Sequence, residues 1–166
     1  MTIDPSVLRR RGLWFDEFQV GQVFVSPGRT LTEADVAQFS GLSGDFTPLH
    51  TDATFARRTP FRQRIVHGML VQSVATGLGT RIGLFEGTIA AFAGQTSRWL
   101  QPVLFGDTVR VEIEVAALDP EPSRRSGHVH FAIRVRNQDD KLVAEGTWDT
   151  LMLREKRRPA AEETTA

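Results

Sequence analysis

The sequence contains no cysteine. Disulfide bonds, thiolate nucleophiles and cysteine-ligated metal ions are therefore excluded, and any covalent chemistry must use other side chains. An excess of one charge is lacking too, because 20 Lys and Arg residues balance 20 Asp and Glu residues to a formal net charge of zero. Proteins that neutralise several phosphates usually carry a clear positive excess, so we do not expect nucleic acid as a main partner.

Long apolar runs are absent as well. No stretch approaches the roughly 20 apolar residues that span a membrane, and the three arginines at positions 9–11 are not followed by the apolar segment of a secretory signal. We therefore predict a cytoplasmic protein with no membrane partner. A length of 166 residues, 40% of them hydrophobic, suits one ordinary globular domain.

The two ends of the chain are polar and charged, without apolar periodicity. We predict a flexible N-terminus at residues 1–12 and a flexible, charged C-terminal tail at residues 154–166. The ordered domain is expected at residues 13–153. No internal repeat and no low-complexity linker divides it, so the chemistry is expected within one fold.

Two stretches of the domain have helical character. Thr32 followed by Glu33 and Asp35 resembles a helix N-cap with an acidic first turn, which predicts a short helix up to Ser40. Apolar residues recur at helical spacing from Ile65 to about Ile82 with very few charges. A pattern with so little polar face predicts a long, buried helix.

Between these helices, glycines and prolines interrupt residues 41–64. We predict a long loop there, with one helical turn around residues 54–57. A loop of that size in a compact domain is usually functional, so this segment is the first place to look for a site.

Beyond the long helix, apolar and polar residues alternate. This period of two predicts antiparallel strands with one face in water, at residues 88–101, 107–118, 128–137 and 142–153. His128 and His130 share the polar face of the third strand, and we interpret them as exposed polarity rather than as a metal pair. The assembled prediction is an α+β architecture, a curved antiparallel sheet wrapped around one long helix.

The segment with the most chemical content is GDFTPLH at residues 44–50, followed by IVHG at residues 65–68. A turn shaped by glycine and proline places Asp45 and His50 close enough to converge on one water molecule, and a helix N-terminus follows. Addition of water to an enoyl thioester needs a base for water, a proton donor for the α carbon and a donor for the enolate oxygen. Either side chain alone would more often be structural.

This pattern resembles a known family. GDFTPLH with the downstream IVHGM is similar to the hydratase-2 motif of the MaoC-like dehydratases and (R)-specific enoyl-CoA hydratases, and GQTSRWLQPVLFGDTV at residues 94–109 resembles a strand pair of those proteins. The similarity covers roughly residues 18–153. It implies a single hot-dog fold, a homodimer or higher homo-oligomer with active sites near the subunit interface, and acyl-CoA or acyl-carrier-protein thioesters as substrates, with no cofactor and no metal.

The resemblance also implies roles for individual residues. Asp45 and His50 match the catalytic acid and base, and Gly68 matches the glycine whose backbone N–H polarises the thioester carbonyl, helped by the helix dipole. Thr76 and Gly77 match a Ser-Gly pair that lines the acyl pocket in some members.

One position departs from the family, which usually has Asn where this chain has Thr47. A hydroxyl lacks the paired donor and acceptor of an amide but still holds one hydrogen bond, so we expect altered substrate positioning. His67 is interpreted as structural, its ring fixing the loop before the helix. Trp14, Phe92 and Trp99 either trim the pocket or belong to the core.

Five arginines lie where they could meet the phosphates of coenzyme A or of a carrier protein's phosphopantetheine region. Solvated surface arginines are the commoner case, and the sequence does not separate the two. They are Arg57, Arg58, Arg62, Arg64 and Arg98.

The implied reaction is reversible hydration of a 2-enoyl thioester to the (R)-3-hydroxyacyl thioester. We expect His50 to take a proton from water as it attacks the β carbon, while Asp45 delivers a proton to the α carbon on the same face; the reverse assignment stays open. A thioesterase of the same fold and a non-catalytic subunit of a heteromeric dehydratase are the alternatives. An iron site built from His50 and Asp52 is disfavoured, because a His-x-Asp pattern is short and common.

Overall fold

The computed structural model describes residues 12–120 and 125–155. The predicted flexible ends, residues 1–12 and 154–166, fall mostly outside the described residues. Three residues of these ends are described. Gly12 is buried and donates its N–H to the carbonyl of Glu86, Arg154 donates its N–H to the carbonyl of Arg125, and Glu155 is exposed.

The described residues form four helices and six strands after a 3₁₀ turn at Phe15–Glu17. The helices are α1 (Glu33–Ser43), α2 (Pro48–Thr51), α3 (Ala53–Ala56) and α4 (Gly68–Arg81). The strands are β1 (Val23–Val25), β2 (Arg29–Thr30), β3 (Ile89–Trp99), β4 (Thr108–Pro120), β5 (Ser126–Arg136) and β6 (Leu142–Leu153). The four strands predicted from alternation are therefore confirmed, with small differences at their ends.

The end of α1 and the loop that follows it differ from the predictions. Thr32 caps α1 as expected, since its hydroxyl accepts the N–H of Asp35, but the helix continues through Gly41 to Ser43. The predicted loop contains two short helices rather than one turn. Pro48 starts α2 because its fixed φ suits the first helical position, and the Asp52 carboxylate caps α3.

All paired strands in the sheet are antiparallel. Their order is β1-β4-β5-β6-β3, and β2 makes a further short pair with β4. Register shifts interrupt the β3–β6, β4–β5 and β5–β6 pairs. Such bulges bend and twist a strand, and the sheet curves accordingly.

The inner face of the sheet forms the core. Val129, Phe131, Ile133 and Val135 of β5 are at most 2% exposed, as their alternation predicts. The opposite face of β5 carries His128, His130, Arg134 and Arg136, which are half-buried and pair with carboxylates of neighbouring strands. The period of two therefore assigns both faces correctly.

Helix α4 lies against this inner face. Its buried residues include Leu70, Val71, Val74, Ala75 and Leu78. The prediction of an all-round buried helix is wrong for one face of the helix, because Met69 and Ser73 are exposed. The sheet of one chain covers only one side of the helix.

Within the described residues, no helix is both long enough and apolar enough to cross a membrane. The cytoplasmic location stays a prediction.

The close packing of α4 on the sheet gives a stability prediction. A Cβ atom on Gly79 would lie 3.1 Å from the ring of Trp148 and 3.2 Å from Ile113, so Gly79→Val should lower the free energy of unfolding by about 1–3 kcal/mol through overpacking. Gly77, two residues earlier, has open space at that position, and Gly77→Ala should instead stabilise by about 0.5–1 kcal/mol. Urea unfolding of both variants checks this; equal effects would contradict the packing account.

Candidate active site

Asp45 lies directly after the end of α1. Gly44 ends that helix in the left-handed conformation, with φ of 75°, which glycine adopts without steric cost. The Ser43 hydroxyl then accepts the backbone N–H of Asp45 at 3.2 Å. The chain turns here, and the Asp45 side chain remains 45% exposed.

Thr47 holds the carboxylate of Asp45. Its hydroxyl donates to Oδ1 at 2.6 Å, and its backbone N–H donates to the same oxygen at 3.1 Å. These two bonds, the hydroxyl first, lower the pKa of Asp45 below its usual 3.8 because they stabilise the charged form. Oδ2 is left for other partners. The Thr47 hydroxyl is therefore directed at the carboxylate, and altered substrate positioning at this residue stays a prediction.

His50 lies on α2 and faces the same space. Its Nδ1 is 2.8 Å from the backbone carbonyl oxygen of Ile65. A carbonyl only accepts, so Nδ1 carries a proton and Nε2 is the nitrogen available for acid–base chemistry. The contact joins the loop that contains α2 to the segment that leads into α4.

His67 lies beneath both groups and is 2% exposed. Its Nε2 is 3.0 Å from the backbone carbonyl oxygen of Asp45, and its ring stacks on that of His50 with centroids 3.8 Å apart. Burial lowers the pKa of His67; the bond to Asp45 opposes this shift, and charge on His50 adds to it. His67 is therefore a neutral ring that contacts both partners.

In the part of the chain that the structure describes, Asp45, His50 and His67 offer ligand atoms within 4.8 Å of one another. By distance the group could hold a metal ion. However, the proton on Nε2 of His67 points to the Asp45 carbonyl, so this nitrogen offers no lone pair. Asp45 and His50 then remain, which is fewer than the three protein ligands of a catalytic zinc site.

Gly68 is the first residue of α4. Its backbone N–H has no hydrogen-bond partner among residues 12–120 and 125–155, and the helix dipole adds a partial positive charge at this end. A Cβ atom here would lie 2.6 Å from the indole of Trp99. Glycine therefore lets Trp99 close one side of the site while the N–H stays free.

The groups border a cavity of about 450 Å³. Asp45, His50, His67 and Gly68 supply its polar part, and Gln101 adds an amide. The rest is apolar: Phe61, Ile65, Val66, Met69, Val71, Trp99, Leu100, Pro102 and Val103. One water can meet Asp45 and His50 while an acyl chain lies along the apolar wall.

Other predicted residues lie elsewhere. Thr76 borders a second groove on the outer side of α4, and Gly77 is exposed on the same helix. Thr47 does not line the cavity. Of the pocket-trimming candidates, only Trp99 borders this cavity, and Phe92 borders the second groove.

The five arginines divide by their contacts. Arg64 pairs with Glu33 and stacks on Phe105, and Arg98 pairs with Glu145 at 3.5 Å. Arg57, Arg58 and Arg62 are exposed, and within the described residues no carboxylate pairs with them.

The sequence predicts a structural role for His67, in which its ring fixes the loop before α4. The contact between the rings of His67 and His50 joins residues that are far apart in sequence, and no local sequence pattern indicates it.

The sequence also matches known proteins. The model of the MaoC-like domain family matches residues 17–135. A 3-hydroxybutyryl-CoA dehydratase of Methylorubrum extorquens is 37% identical over 115 residues, 69% of this chain and 71% of its own length. An (R)-specific enoyl-CoA hydratase of Rhodospirillum rubrum is 37% identical over 122 residues, 73% of this chain and 79% of its own length.

The fold has solved counterparts. A Mycobacterium tuberculosis protein described as a double hot-dog fold aligns with a TM-score of 0.76 at 25% identity, covering 89% of this chain and 46% of that one. The curved sheet around α4 is thus a hot-dog fold. On the match over residues 17–135, the chain belongs to the MaoC-like dehydratase family.

Proposed function

We propose that this protein catalyses the reversible hydration of 2-enoyl thioesters, carried by coenzyme A, to (R)-3-hydroxyacyl thioesters. The observation that carries the proposal is the convergence of Asp45, His50 and the free N–H of Gly68 on one largely apolar cavity. The two relatives described above support it, because hydration and dehydration are the two directions of one equilibrium.

The cavity suits water addition because it separates two environments. Oδ2 of Asp45 and Nε2 of His50 provide a polar place for one water molecule. The apolar wall beside them can take the acyl chain, so that the double bond lies next to the water. Positioning of this kind converts a bimolecular step into an effectively unimolecular one.

The pKa of Asp45 supports one of the two assignments left open by the sequence. Two hydrogen bonds from Thr47 stabilise the charged carboxylate and lower the pKa of Asp45, so this group starts the reaction ionised and able to accept a proton. We therefore assign the base to Asp45 and the proton donor to His50. This reverses our first assignment. The pair remains coupled, so a pH profile describes both groups together.

With this assignment, each proton that one group of the hydration reaction releases is accepted by another. Asp45 takes a proton from water, the resulting hydroxide bonds to the β carbon, and the double-bond electrons move toward the thioester oxygen. Gly68 donates its N–H to that oxygen as negative charge develops. Nε2 of His50 protonates the α carbon, and transfer of the proton from Asp45 to His50 restores the enzyme.

We propose that the reaction uses neither a metal nor another cofactor. Each step above is performed by a side chain or a backbone group of this chain. The hydrogen on Nε2 of His67 also leaves the cluster with too few ligands for a catalytic metal.

A second copy of this chain is the proposed partner. Strand β3 pairs with β6 along one edge, and its other edge has no strand partner among the described residues. Beside it, a groove of about 340 Å³ separates β3 from the exposed side of α4. Unpaired strand edges favour pairing with another chain, and a two-fold axis would bury both features at once. Such a partner would also cover Thr76.

Asp45→Asn and His50→Gln should each lower turnover of crotonyl-CoA by roughly 10²–10⁴-fold, since each removes one proton-transfer group. Loss of the enoyl absorbance measures turnover, and chiral analysis should find the (R) product. A thiol-trapping reagent tests for thioester hydrolysis in the same sample.

Matched controls are Asp139→Asn and His130→Gln, which do not line the cavity. Near wild-type turnover in both site variants would contradict the mechanism, and thiol release without hydration would make the protein a thioesterase.

Thr47→Ala should raise the pKa of Asp45 toward its usual 3.8, because the stronger of the two bonds to the carboxylate is lost. At a pH between the lowered and the usual pKa of Asp45, a larger fraction of the Asp45 carboxyl is protonated in the variant than in the wild type. Titration of the carboxyl by NMR measures this, and Thr47→Ser, which keeps a hydroxyl, is the control. An unchanged pKa in Thr47→Ala would show that the hydroxyl does not hold the carboxylate.

Gln95→Arg places a charge in the groove between β3 and α4, where Gln95 lies. If a second copy buries this groove, sedimentation velocity should show a shift from dimer to monomer. Ala37→Arg on the exposed side of α1 is the control for added charge. A dimer of unchanged stability in Gln95→Arg would place the interface elsewhere.

A further inference from the structure

An unpaired polar atom lies beneath the acid–base pair. His67 is 2% exposed, and its Nδ1 has no hydrogen-bond partner within residues 12–120 and 125–155. Buried polar atoms are nearly always paired, so an exception needs a physical reason. A phenyl ring fills a similar volume without an unpaired nitrogen. Packing alone therefore does not explain a histidine at this position.

The second ring nitrogen gives the reason. Nε2 lies 3.0 Å from the backbone carbonyl oxygen of Asp45. That oxygen only accepts, so the single proton of the neutral ring lies on Nε2, and Nδ1 keeps a lone pair that meets no donor. One directed hydrogen bond to the backbone of Asp45 is thus gained while one buried atom is left unpaired.

The face of the ring makes another contact. The His50 ring lies on it with centroids 3.8 Å apart and planes inclined by 30°; the Phe39 ring also packs against His67, with centroids 5.1 Å apart. The edge of His50 is already held by the carbonyl of Ile65. With one edge bound and one face covered, the His50 ring has little freedom to turn, and its Nε2 is left for the cavity.

We propose that His67 is a positioning residue for the reaction: its N–H fixes the backbone of Asp45, and its ring face fixes the imidazole of His50, so that the two reacting groups keep one spacing. The proposal rests on the proposed function. His67 is also the N-cap residue of α4, directly before Gly68. The same residue therefore ties the acid–base pair to the N–H that meets the thioester oxygen.

The neutrality of His67 suits this role. Burial lowers its pKa, and a positive charge on the stacked His50 lowers it further. The ring therefore stays neutral when His50 carries the proton, and its only N–H remains on the Asp45 carbonyl throughout the cycle.

His67→Phe separates positioning from packing, since it keeps a buried ring but removes the N–H and the unpaired nitrogen. We expect kcat for crotonyl-CoA to fall by about 10–100-fold, the cost of a misplaced catalytic group, with KM within about twofold and no loss of Tm. The pH profile of kcat should keep both limbs at lower height. His67→Gln, which keeps an N–H donor without the ring, should recover part of the loss.

Phe39→Leu is the matched control. It loosens the packing of Phe39 against the His67 ring and leaves the hydrogen bond to Asp45 in place. We expect a lower Tm with kcat within about twofold of wild type. Loss of kcat equal to that of His67→Phe would mean that general packing, rather than the N–H, sets the rate, and would overturn the proposal.

Two further results would overturn it. Wild-type kcat in a stable His67→Phe variant would make His67 a space-filling residue, and loss of one limb of the pH profile would make it an acid or base in its own right. If the wild type hydrates no enoyl-CoA, the proposed function itself fails. A crystal structure of His67→Phe then decides the positioning role, because unchanged places of Asp45 and His50 would contradict it.

Discussion

The packing of α4 against the inner face of the sheet determines where the candidate active site lies. Gly79 lets the helix backbone lie so close to Trp148 and Ile113 that even a methyl group would crowd them. The helix cannot move away from the sheet without opening this contact. Its first residue, Gly68, borders the cavity with its free N–H at the positive end of the helix dipole, and the proposed acid–base groups Asp45 and His50 border the same cavity.

The loop at residues 44–50 reaches that point through several weak contacts. Thr47 holds the carboxylate of Asp45, the carbonyl of Ile65 holds His50, and His67 touches both partners. A neutral hydrogen bond contributes only about 1 kcal/mol to stability, so no single contact fixes the loop. Acting together on one short segment, they leave it few alternative positions and reduce the reorganisation needed during reaction.

The sequence predicts elements well where a pattern is long. Strand β5 could be assigned face by face from its alternation, whereas β1 and β2 are too short to show a period. The end of α1 was misplaced because Gly41 and Gly44 look alike in sequence, and only Gly44 takes the left-handed conformation. Within the site, the motif predicts that Asp45 and His50, which are close in sequence, lie close together in the structure. The contact of His67 with Asp45 depends on how the loop returns to α4, which tertiary packing decides.

The central claim is that Asp45 and His50 act through one water molecule on one face of the double bond. Hydration of crotonyl-CoA in D₂O tests it most directly, with the relative configuration at C2 and C3 of the product determined from NMR coupling constants. The account predicts syn addition, with deuterium and the hydroxyl group on the same face. Anti addition would contradict it, because the proton donor and the attacking water would then have to lie on opposite sides of the substrate.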